Sequence, residues 1–276
     1  MKGIVWNKIL LILILALVFV SPGCGKKVQL PVEEETTTPP TTVGTDSLRI
    51  YKPKEFEGMD YNDKGSKWSY SRSRQSEHFI VFWGASYGKN DPNASTVPEE
   101  YRVDIDDLLA KAEQFYQLNI NTLKFAERKK NLSNLDKYKM MIFVHYTTDW
   151  MAYGGGYDDT IGALWINPAT CKPVGAVIAH EIGHSFQYQV FADLKGAHGF
   201  RYGFGGTNGN GFWEQTAQWQ AYQTYPDQAF SGHDFTVYTE NHNRHIHHEK
   251  YRYASNFIPW YRDNKHGMDI IGRILR

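Results

Sequence analysis

The sequence predicts an α+β domain in three parts: a small mixed β-sheet in the N-terminal half, one helix across the middle, and a mainly helical C-terminal part. Three observations predict it. Short apolar runs at 78–83 (HFIVFW), 139–146 (KMMIFVHY) and 161–166 (IGALWI) end at glycine, polar or Asn-Pro signals, as buried strands do. Residues 174–190 (VGAVIAHEIGHSFQYQV) form a longer run in which Ile178, Ile182 and Val190 face a core if the run is helical. Residues 212–222 (FWEQTAQWQAY) set Trp213, Ala217 and Ala221 four apart, the stripe of a second helix ending before Pro226.

The domain is expected over 48–276. Lys2 and Lys8 flank a short positive segment, and the twelve residues 9–20 are unbroken apolar. About 18 to 20 are needed to span a bilayer, so this run reads as the core of a secretory signal. Ser21-Pro22-Gly23-Cys24 follows and resembles a bacterial lipobox, with Ser21 where Leu is usual. The signal is therefore placed at 1–24, with lipid on Cys24. Residues 25–47, rich in Thr, Pro and Glu, bury too little apolar surface to offset the entropy of ordering and read as a tether. Only Cys171 then remains, without a disulfide partner, as a small buried hydrophobe. With 30 basic and 30 acidic side chains and no basic stripe, nothing favours nucleic acid.

Along the domain, Pro98-Glu99-Glu100 opens a helix expected to reach Arg128, with Ile105, Leu108, Leu109, Ala112, Phe115, Tyr116 and Leu123 on its apolar face. Residues 153–159 (YGGGYDD) read as a turn or loop, because their glycines permit positive φ. Pro173 suits a first helical position, and Gly183, costly inside a helix, implies that something packs closely there. The loop at 203–211 (GFGGTNGNG) lacks the Gly-Lys-Ser/Thr of a phosphate loop. The histidines at 242, 245, 247 and 248 fit no metal-ligand spacing and read as a polar loop. Residues 253–261 and 269–276 read as helices. The second carries an apolar stripe of Ile270, Ile271, Ile274 and Leu275 but ends uncapped, so it is expected to fray as the front part of a longer ancestral protein.

His180, Glu181 and His184 spell H-E-x-x-H. Residues four apart share a helix face, so both imidazoles can hold one metal ion while Glu181 stands beside it to take a proton from an attacking water. Zinc suits such a set, with a third protein ligand and one open position. Glu214 is a carboxylate among aromatics, rarely buried without a partner, and a metal is one such partner.

With its motif and downstream Glu214, separated from His184 by 29 intervening residues, the chain resembles the gluzincin metallopeptidases. His180, Glu181, Gly183, His184 and Gln187 match the H-E-x-G-H-x-x-Q form of the enhancin-like and mucin-degrading branch. SRSRQSEHFIVFWG, GGGYDDTIGALWINP, HEIGHSFQYQ and FWEQTAQWQAY also resemble a family of bacterial secreted domains of unassigned function. The resemblance implies a zincin-like fold, zinc on His180, His184 and Glu214, and Glu181 as base. It further implies that the strand before the metal helix (Gly162, Ala163, Leu164, Trp165) pairs with extended substrate, and that a downstream Tyr or His stabilises the oxyanion. Tyr251, Tyr253 and His247 are candidates for that last role.

The expected function is zinc-dependent hydrolysis of peptide bonds in extracellular protein or glycoprotein, by a monomer on a lipid anchor. Two alternatives stand beside it. One is a non-catalytic module holding glycan or glycoprotein through exposed Trp and Tyr, since aromatics are 15% of the chain. The other is a structural envelope protein without metal.

Overall fold

The computed structural model describes residues 48–194, 210–246 and 248–276. Five strands form one mixed sheet: β1 (Ser73–Gln75), β2 (Phe79–Trp83), β3 (Met140–Val144), β4 (Ala152–Tyr157) and β5 (Ile161–Ile166), in the order β1-β2-β3-β5-β4. The three apolar runs are β2, β3 and β5. They lie parallel in the middle of the sheet, where burial on both faces explains their continuous apolar sequences. β1 and β4 pair antiparallel at the two edges.

On one face Phe82, Phe143 and Trp165 stand side by side in register and stack, covered by Phe56, Tyr61 and Trp68 from the preceding segment. The opposite face takes helices α1 (Ile105–Gln117) and α2 (Ala176–Asp193). Beyond α2 come α3 (Asn210–Thr224), α4 (Pro226–Ser231), α5 (His233–Asn241), α6 (Phe257–His266) and α7 (Ile270–Leu275), giving a mixed α+β fold with a mainly helical C-terminal part. No described helix is long and apolar enough to cross a membrane.

The helix expected over 98–128 is shorter. Glu99–Tyr101 is a separate 3-10 turn, and α1 starts after Asp104, whose carboxylate accepts the backbone N–H groups of Asp106 and Asp107 as an N-cap. It ends at Gln117 and widens into a π-helical turn, Leu118–Thr122. α2 likewise begins later than Pro173, which follows a cis peptide bond outside the helix; Gly175 is the N-cap. The helix expected over 253–261 is a 3-10 turn, Ala254–Asn256, running into α6.

Residues 152–157 are a strand, correcting the loop expected at 153–159. Only the turn residues Asp158 and Asp159, with φ of 52° and 49°, belong to the connection. The glycines serve close approach instead of a turn. A Cβ on Gly154 would lie 2.1 Å from the Glu181 carbonyl oxygen and 2.6 Å from His184 Cβ, and one on Gly156 would lie 2.2 Å from the Tyr188 ring. β4 therefore rests directly on α2.

The terminal helix does not hang free. Ile271 and Leu275 of α7 are buried in the main core, and Gly272 sits against the Leu123 and Lys124 carbonyls, where a Cβ would approach to 2.3 Å. Arg276 pairs with Glu127 at 2.8 Å. Of the expected stripe only Ile274 is largely exposed.

Candidate metal centre

α2 presents His180 and His184 one turn apart, with ring centroids 4.6 Å from each other. Glu214 comes from the first turns of α3. It reaches them because α3 crosses α2 at Gly183, whose added Cβ would meet Gln220 at 3.1 Å and the Ala217 Cα at 3.3 Å. Gly183 thus marks the helix crossing, as its position implied, and a larger residue would lift Glu214 away.

Glu214 Oε2 lies 3.1 Å from His180 Nε2 and 3.2 Å from His184 Nε2. All three groups are buried, with their ligand atoms within 4.8 Å of one another, and the group could hold a metal ion. No other such group occurs among the described residues.

Two glutamines orient the imidazoles. The Gln187 side-chain nitrogen donates to the Trp213 carbonyl and Thr216 Oγ1, so its oxygen faces His184 Nδ1 and accepts that N–H at 2.9 Å. His180 Nδ1 donates to Gln218 Oε1 at 2.7 Å. With the proton on Nδ1 in each ring, both Nε2 lone pairs point at Glu214. The Trp213 ring stacks on His184 at 5.3 Å. Sequence reading noted Gln187 within its motif but missed Gln218, whose signal was its place one helical turn after Glu214.

The electrostatics favour positive charge at this point. Burial opposes ionisation of Glu214, but where the imidazoles also carry a proton on Nε2, their hydrogen bonds and charges outweigh burial and hold the carboxyl far below the usual carboxylate range. Burial likewise works against charge on His180, and the Glu214 hydrogen bond with the Glu181 and Glu214 charges overrides it, raising the imidazole. Two lone pairs and a carboxylate converge, and only a proton or a metal cation relieves them.

Glu181 is buried beside this group, and among the described residues its carboxylate accepts no hydrogen bond. Of the described oxyanion candidates, Tyr253 lies with its ring 6.0 Å from His180, 38% exposed, and Arg252 over its face. Tyr251 is instead buried against Tyr238, and its hydroxyl is pushed up to about 12 by burial. His247 and Cys24 lie outside the described residues, as does the glycine loop through residue 209.

Gly162, Ala163, Leu164 and Trp165 are not at an edge, which corrects the assignment of substrate pairing to them. β5 is paired on both sides, with β3 and β4, and the Gly162 N–H also donates to Gln189 Oε1 at 3.0 Å, so its backbone is already bonded. The strand at the edge is β4, and Gly154 brings that edge against His184. Cys171 is buried, its thiol pushed up to about 12 by burial, consistent with a structural role. His242 and His248 are tied to local backbone groups at 2.8 and 3.2 Å.

No curated protein and no solved structure matches this chain. A family model does, over residues 43–276, which takes in all of the sheet, the histidine pair and Glu214. The chain therefore belongs to the family described as "Family of unknown function (DUF6055)".

Proposed function

We propose that this protein is a zinc-dependent peptidase of the gluzincin kind, with a zincin-like arrangement of edge strand, metal helix and glutamate helix. The observation that carries the proposal is the spacing at the triad. Ligands held about 2.0 to 2.1 Å from a tetrahedral zinc lie about 3.3 Å apart. Glu214 Oε2 stands 3.1 and 3.2 Å from the two Nε2 atoms.

His180, His184 and Glu214 are the zinc ligands in this reading. Zinc bound there supplies a Lewis acid that polarises a carbonyl and acidifies water. Glu181 takes the proton of the attacking water and returns it to the departing amine, for which its carboxylate is near and accepts no hydrogen bond among the described residues. Tyr253 is the donor proposed for the oxyanion, on the strength of its position beside His180. An extended peptide adds to the edge of β4, antiparallel or parallel, its backbone bonding where β4 has no strand neighbour among the described residues. Incubating the chain with unfolded protein, and with a heavily glycosylated one, tests this: cleavage abolished by chelation and restored by zinc is expected, and no cleavage of either with zinc bound contradicts it.

A glycan-binding reading draws on Trp150 and Tyr153, 64% and 61% exposed at the start of β4. It predicts retention of glycoprotein without cleavage, so the same incubation separates the two.

The N-terminal segment is proposed to export the protein and leave it lipid-anchored at Cys24. Mass spectrometry of the mature N-terminus is expected to find a lipidated cysteine there; an unmodified terminus at another residue contradicts it.

A further inference from the structure

Away from the metal centre, a concavity of about 590 Å³ opens between the end of α1, the π-helical turn and the segment 124–130, beside the start of β2. Four cationic side chains line it, Lys124, Arg128, Lys129 and Lys130, against Glu77 and Glu127. Glu127 is already paired with Lys130 and Arg276, at 2.9 and 2.8 Å. Arg128 pairs with Asp136 at 3.5 Å, so among the described residues the cations of the wall without an ion pair are Lys124 and Lys129.

The wall is built. Glu113 accepts the Ser76 hydroxyl, the His78 backbone N–H and His78 Nδ1–H at 2.6 to 2.7 Å. His78, buried and stacked on Tyr116 at 4.0 Å, then offers its Nε2 lone pair to Arg128 Nη1. This chain holds one edge of the guanidinium against His78, while the Asp136 carboxylate stands beside the other. Arg128 Nε forms an ion pair with Asp136 Oδ1 at 3.5 Å but no hydrogen bond, and the guanidinium lies over the Tyr116 ring at 6.0 Å. A guanidinium has five N–H donors and is normally spent on carboxylates or carbonyls. The Tyr116 hydroxyl, in the same wall, is also buried without a hydrogen bond.

The neighbouring backbone is strained and held. Lys124, Lys129 and Asn131 have φ of 57°, 66° and 54°. For non-glycine residues that conformation is disfavoured and persists where surroundings enforce it, often at ligand clamps. Here the Lys129 N–H is tied to Asp136 at 2.7 Å, the Phe125 N–H to the Asn119 carbonyl at 3.0 Å, and α7 presses Gly272 on Leu123 and Lys124.

We propose that this concavity binds a small molecule through an oxyanion group, phosphate or carboxylate, received by Arg128 with Lys124 and Lys129. Charge-assisted hydrogen bonds to a planar fork suit either oxyanion, and the volume is that of an ordinary small-ligand pocket. The proposal does not depend on the metal centre.

The test is calorimetric titration of the full chain with inorganic phosphate and, separately, with succinate. At least one is expected to bind a single saturable site with a Kd of about 1 mM or tighter. Chelator-treated protein is expected to bind it equally well. Arg128→Gln should weaken the binding about tenfold or more. The double variant Lys124→Asn, Lys129→Asn removes two charges while keeping residues that tolerate positive φ, and should weaken binding severalfold with the melting temperature unchanged. Binding by phosphate alone marks a phosphorylated ligand, and binding by succinate alone a carboxylate. No saturable binding of either anion, binding abolished by chelation, or unchanged affinity in a folded double variant overturns the proposal; if Arg128→Gln fails to fold, the double variant decides.

Discussion

Glu181→Gln should leave the metal in place and lower peptide-bond turnover by about 100- to 10,000-fold. The amide is nearly the same size and sits in the same buried position on α2, so His180, His184 and Glu214 keep their geometry. What it loses is the capacity to accept the proton of the attacking water. The measurement is kcat on a cleaved substrate together with metal content for both proteins. Equal turnover in the variant removes Glu181 from the base role. Loss of metal alongside turnover would instead make it a structural support of the triad.

Gly154→Ala should cost about 3 kcal/mol of stability, roughly 10 °C in melting temperature for a domain of this size. The added methyl would lie 2.1 Å from the Glu181 carbonyl oxygen, a backbone atom that cannot swing aside, and 2.6 Å from His184 Cβ. Strand and helix must separate, carrying the ligand helix with them, so metal affinity should fall in parallel. Gly155→Ala is the control on the same strand, because there a Cβ meets only the Trp165 ring, at 3.7 Å. Thermal melts of the two variants decide it. A Gly154→Ala protein as stable as Gly155→Ala would mean that β4 does not rest on α2 as described.

These two glycines also show where sequence reading stopped. β2, β3 and β5 were legible because strands buried on both faces are continuously apolar. β4 was hidden by its composition: Gly154, Gly155 and Gly156 depress strand propensity, and their packing against α2 becomes visible only when the helix is present. The edge was misplaced for a related reason. The parallel partner of β3 is β5, the later of two candidate strands, and the antiparallel hairpin then puts β4 outside it. That choice is made by non-local pairing, which local periodicity does not encode. At the candidate metal centre the converse holds. The pair His180 and His184 is fixed by helical spacing, and Glu214 by its place in a second helix at the same crossing, so all three were readable. Gln218 repeats that logic one turn later but was not singled out, because an amide carries no charge to flag it. The overlong helix at 98–128 reflects an apolar pattern that continues past Gln117, through the π-helical turn to Leu123, while Asp104, not Pro98, supplies the cap.

The central claim, a zinc centre on two histidines and one glutamate, is tested most directly by elemental analysis of the purified chain beside its His184→Ala and Glu214→Ala variants. The account predicts about one zinc per wild-type chain and little in either variant, each judged folded by circular dichroism, because removing one of three protein ligands leaves too few to retain the ion. A wild-type chain that takes up no zinc from buffered solution, or variants that hold it as fully as wild type, would contradict it.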